Sequence, residues 1–178
     1  MKQFKAFTIK FVGLKEGEHC FEYKIGKTFF EDFKYDEYND ANILAKATLN
    51  KKTTLLELIF DVKGTVNVNC DVSNEPFNLE VENQFNLVVK FGNEYNDEND
   101  EILIIPHAEY EINIAQYFYE LIVLSVPTKR VHPGVEDGSL ESDILKKLEE
   151  LSPKETHENK KEEIDPRWNK LKKLLTDK

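Results

Sequence analysis

The stretch FNLEVENQFNLVVKF, Phe77 to Phe91, decides the fold. Apolar side chains recur at every second position through Phe77, Leu79, Val81, Phe85, Leu87, Val89 and Phe91, and Asn83 alone breaks the series. A period of two belongs to a β-strand with one buried face, because successive side chains of an extended chain point to opposite sides. A strand of this length is expected to carry a bulge near its polar interruption at Asn83.

Upstream, NILAKATLNKKTTLLELIFDVKGTVNVNC reads as two strands joined at Asn50, Lys51 and Lys52. Leu56, Leu58, Phe60 and Val62 share one face, and Gly64 marks a bend or turn into a third strand. Nearer the start, Phe7, Ile9 and Phe11 fall on one side of a first strand. After a turn at Gly13 and Gly17, His19, Phe21, Tyr23 and Ile25 oppose Cys20, Glu22 and Lys24, and TFFEDF reads as a helical turn.

Downstream, the acidic NEYNDENDE (93–101) reads as a solvated loop and ILIIP as an apolar strand. The period then changes from two to that of a helix. Ile114, Tyr117, Phe118, Leu121 and Ile122 follow helical spacing, with Asn113 as N-cap, Gln116 completing a capping box and Pro127 ending the run. Such a helix covers the apolar face of a sheet. The expected architecture is therefore α+β: a mainly antiparallel β-sheet covered by a helix over residues 1–135, followed by a charged helical tail over 136–178. Within that tail SLESDILKKLEEL reads as a helix, SPKETHENKKEEI as a linker and DPRWNKLKKLL as a final helix.

With 178 residues, 40% of them hydrophobic, the chain is long enough for one domain with a core. MKQFKAFTIKF lacks the unbroken apolar segment of a signal peptide, so a cytoplasmic location is expected, with Cys20 and Cys70 as free thiols. The net charge of −10 argues against attraction of nucleic acid to the whole surface, and any RNA contact would need a local basic patch.

Three constellations invite a chemical reading. In CDVSNEPF a Cys-x2-Cys would supply two thiolates at zinc spacing, but the position three after Cys70 is Ser73. Alternation places Val66, Val68, Cys70 and Val72 on one face, so a small buried Cys is the simpler reading, and no metal is assigned. In PHAEYEI, His107, Glu109 and Glu111 at alternate positions could form a metal or acid-base site. They read more simply as the solvent side of a strand whose other face is Ala108, Tyr110 and Ile112. The acidic loop lacks the Gly and terminal Glu of an EF-hand.

The third constellation is DPRWNKLKKLL. Asp165 can cap, Pro166 suits the first helical position, and Trp168, Leu171, Leu174 and Leu175 form a stripe. Five basic residues against two acidic ones make residues 165–178 a +3 segment in an acidic protein. Packing on the chain's own domain is one reading. The other makes Arg167, Trp168, Lys170, Lys172 and Lys173 an RNA- or partner-binding site, cations on phosphates or an acidic groove and the indole as anchor.

Taken in order, GTVNVNCDVSNEPF after paired strands, a helix closing in LSVP, then VHPG and a terminal DPRWNKLKKLL resemble the YceD family. That family is also called domain of unknown function 177, or large ribosomal RNA subunit accumulation protein, and the DPRW element is similar to its Bacteroidetes-type members. The resemblance implies a bacterial, cytoplasmic, non-enzymatic factor that supports 23S ribosomal RNA accumulation and large ribosomal subunit biogenesis. Its partners would be ribosomal RNA or the precursor large subunit; the acidic body adds a basic ribosomal protein held through the Glu94 to Glu101 loop, and no cofactor and no membrane are expected. Many family members carry Cys-x2-Cys where this chain has Cys70 and Ser73, so only one of the two ligands carries over. The rival expectation is a metal-dependent nuclease acting on ribosomal RNA precursors through His107, Glu109 and Glu111.

Overall fold

A computed structural model describes residues 4–152. The chain divides into two compact units, Met1–Ser142 and Asp143–Lys178. In the first, a 3-10 turn (Lys5–Phe7) leads into β1 (Thr8–Ile9), β2 (Gly17–Gly26), α1 (Lys27–Asp32), β3 (Asp40–Lys51), β4 (Leu55–Asn69) and β5 (Pro76–Gly92). There follow β6 (Asn96–Asn99), β7 (Ile102–Pro106), β8 (Ile112–Asn113), α2 (Ala115–Ser125) and α3 (Pro133–Glu136). The described part of the second unit contains α4 (Asp143–Leu151), which falls within the expected SLESDILKKLEEL helix.

The fold is α+β. Six strands form one sheet in the order β2-β3-β4-β5-β7-β6, antiparallel except between β5 and β7, which run parallel; β1 and β8 form a separate antiparallel pair. Alternation sets which face is buried. Ala41, Ile43, Ala45, Ala47 and Leu49 of β3 lie beside Leu56, Leu58, Phe60 and Val62 of β4 on one face of the sheet, in one core. Onto this face α2 lays Phe118, Leu121 and Ile122, with the Phe118 ring edge-on to Phe60 at 5.3 Å. Burying these side chains contributes about 1.5–3 kcal/mol each, opposed by the entropy of ordering the chain.

Two expectations about the long strands are corrected. No bulge forms at Asn83: the β4–β5 register is unbroken from Leu55↔Lys90 to Asn69↔Pro76, with Asn83 opposite Val62. A one-residue bulge would have turned Phe85, Leu87 and Val89 onto the solvent face, and burial of Leu87 and Val89 opposes it. Nor is Gly64 a turn. It lies inside the continuous β4 strand, and a Cβ there would sit 2.2 Å from the Asn42 carbonyl oxygen and 2.6 Å from the Ile43 Cα. The glycine lets neighbouring backbone approach, which is the other use of a residue without a side chain.

Three further differences follow from pairing and capping. NEYNDENDE is not all loop, because Asn96–Asn99 forms the edge strand β6 against β7. Its polar composition suits an edge strand with little burial. The expected strand through PHAEYEI is broken: His107 and Ala108 form a turn, and Tyr110 is 55% exposed, so the supposed core-facing set reaches the core only at Ile112. Finally, Asn113 closes β8 instead of occupying the N-cap, which falls to Ile114. Its Oδ1 still accepts the Ala115 N–H at 3.1 Å, while Gln116 donates to Glu120 at 2.6 Å and closes no capping box.

Candidate functional site

CDVSNEPF, where Ser73 stands in place of a second thiolate, is a structured turn. β4 ends at Asn69, and the Cys70 and Glu75 backbones close the turn, with the Cys70 N–H donating to the Glu75 carbonyl at 2.9 Å and Asn74 at a φ of +59°. Asn tolerates that left-handed conformation better than most residues. Cys70 is buried, 2% exposed, alongside Val66 and Val68. Its Sγ accepts backbone N–H groups from Val72 and Ser73 at 3.4 Å and from His132 at 3.3 Å. Burial pushes the thiol up, but the His132 N–H, the Ser73 hydroxyl and the Ser73 and Val72 N–H groups outweigh it, bringing the thiol down to about 7.

His132 came to this turn without a signal in sequence spacing. The Asp71 N–H donates to the Arg130 carbonyl at 2.8 Å, and the Asp71 carboxylate accepts the Arg130 N–H at 2.6 Å. The Arg130 guanidinium also reaches Glu37 at 3.1 Å and Asp71 at 3.4 Å, fastening the segment after α2 to the end of β4. The His132 ring is occupied as a cap: its Nδ1 accepts the Gly134 N–H at 2.9 Å at the start of α3. Ser73 is fully buried and its Oγ accepts the Glu75 N–H at 3.4 Å. Cys20 lies on the exposed side of β2, so the two thiols are separate.

The second expected constellation does not converge. The His107 ring stacks on Phe91, with centroids 6.2 Å apart, whereas Glu109 and Glu111 line a cavity that His107 does not. Among the described residues no group of three or more His, Cys, Asp or Glu side chains could hold a metal ion.

That cavity, about 740 Å³, opens between β6–β7 and α2. Phe85, Leu103, Ile105, Tyr117 and Leu121 give it an apolar lining, with Phe85 and Tyr117 stacked at 6.4 Å and 15°. Its remaining lining includes Asp97, Asp100, Glu109, Glu111 and Glu120, with no Lys, Arg or His. Burial pushes the Tyr117 phenol up to about 12, helped by Tyr95 and by the negative charges of Asp97 and Glu120. The sequence signalled part of this site through NEYNDENDE. It missed the convergence, because Glu109, Glu111 and Glu120 arrive from a turn and a helix.

The expected site residues Arg167, Trp168, Lys170, Lys172 and Lys173 lie outside the described residues. Among the described residues no helix is long and apolar enough to cross a membrane. No curated protein and no solved structure matches the chain. A family model described as large ribosomal RNA subunit accumulation protein YceD matches residues 58–175, from near the start of β4 into the terminal DPRWNKLKKLL segment. The chain belongs to the YceD family.

Proposed function

We propose that this protein is a non-enzymatic cytoplasmic factor that supports 23S ribosomal RNA accumulation, and so large ribosomal subunit biogenesis, by binding ribosomal RNA, ribosomal proteins or both. The family match over residues 58–175 carries this reading. The charge distribution supports it: an acidic chain ends in a +3 segment at 165–178. In the proposed division, residues 1–135 are the folded body and 136–178 a charged helical tail.

In the tail, Arg167, Lys170, Lys172 and Lys173 engage phosphates, and Trp168 anchors by stacking or packing. Direct binding of a ribosomal RNA fragment then weakens steeply with added salt, and reversing those four charges abolishes it. Unchanged RNA binding after the reversal removes the tail from the mechanism. The acidic 94–101 segment serves a basic ribosomal protein instead. A pull-down treated with ribonuclease separates the two contacts, because a protein held through RNA is lost and one held directly is kept.

A further inference from the structure

We propose that the groove between β6–β7 and α2 is a docking surface for a Lys/Arg-rich amphipathic segment of a partner protein. The inference rests on the ribosome-assembly reading, in which a basic ribosomal protein is one of the partners. Two independent properties of the groove define the occupant. Its lining carries five carboxylates and no cationic side chain. Among the described residues, none of the five forms an ion pair; Glu120 accepts only from Gln116 and Asp97 from the Tyr95 hydroxyl at 3.1 Å. Unneutralised carboxylates gathered in a concave site create a negative potential that attracts basic groups and repels a phosphate backbone.

The second property is apolar surface left in water. Leu124 is 79% exposed and Tyr95 59% exposed, and both line the groove together with the partly covered Tyr117–Phe85 stack. A simple cation would gain nothing from these groups. A segment bearing leucine-like side chains between lysines or arginines would bury them while its charges meet the acidic lining, giving an apolar centre and a polar rim. RNA is disfavoured by the sign of the charge.

The test uses the full chain and a fluorescent peptide alternating Leu and Lys. Binding is expected to fall at least about tenfold when Asp97, Glu111 and Glu120 are changed to Asn, Gln and Gln, and also when Leu124 is changed to Ser. Changing Glu18, Glu22 and Glu80 to Gln removes the same charge from the opposite, exposed sheet face and leaves binding intact; circular dichroism and melting confirm that every variant folds. Equal loss in both triple variants, or equal binding of a Ser/Lys peptide lacking leucine, reduces the effect to net charge and overturns the proposal.

Other occupants are overturning results too. They are tighter binding by a peptide of residues 165–178, a dimer that Leu124→Ser dissociates, or single-stranded RNA whose binding the groove variants lose. Co-sedimentation of the unaltered chain with precursor large subunits is scored separately. Its absence defeats the assembly reading, whereas loss of peptide selectivity defeats only the groove.

Discussion

The backbone N–H of His132 donates to the Sγ of Cys70 at 3.3 Å across sixty-two residues of sequence. This bond joins the segment after α2 to the end of β4, and with the Val72 and Ser73 N–H groups it gives a buried sulfur three backbone donors. The arrangement favours the thiolate over the thiol without a metal. A thiol lowered from 9.0 to about 7 stabilises the fold fully above its unfolded value and loses that contribution as pH falls through about 7. The stability difference between the native chain and Cys70→Ala is therefore expected to widen as pH rises from about 6 to about 9. Denaturant melts across that range check this, and a difference independent of pH would contradict it.

Gly64 predicts a packing defect. Gly64→Ala places a methyl group against the Asn42 and Ile43 backbone, which cannot swing aside as a side chain could. The expected loss is about 2–3 kcal/mol, with chemical shifts or hydrogen exchange disturbed along β3 and β4. A variant as stable as the native chain would show that the strands separate at little cost.

Tyr38 predicts the opposite sign. Its hydroxyl is buried and makes no hydrogen bond within 3.5 Å among the described residues, interacting instead with the Tyr35 hydroxyl, while the ring packs on Phe30 and Tyr35 at 4.9 and 5.0 Å. Tyr38→Phe keeps the ring contacts and removes an unsatisfied polar atom, so stability is expected to hold or rise by about 1 kcal/mol. Burial raises the Tyr38 phenol above its ordinary 10.0, which means native stability falls as pH climbs past that value. The Phe variant should lose less stability there in alkaline melts.

Much of the sheet was legible because burial on one face imposes a period of two. Phe77 to Phe91 and Leu56 to Val62 announced the two longest strands, and parity alone argued against the bulge expected at Asn83. The rest depended on partners distant in sequence. Gly64 looked like a turn because the β3 backbone that requires glycine belongs to another strand. Asn96–Asn99 looked like loop because an edge strand needs hydrogen bonds to β7 but little apolar surface. The groove was hidden for the same reason: Asp97, Glu111 and Glu120 are dispersed along the chain and meet only when α2 packs beside the sheet edge.

Sucrose-gradient sedimentation of cell extract reports whether the proposed factor associates with the maturing large ribosomal subunit. The native chain is expected to co-migrate with precursor large subunits, and cells depleted of it are expected to show lowered 23S ribosomal RNA. A chain that stays entirely at the top of the gradient, with 23S ribosomal RNA unchanged on depletion, would contradict the proposed role.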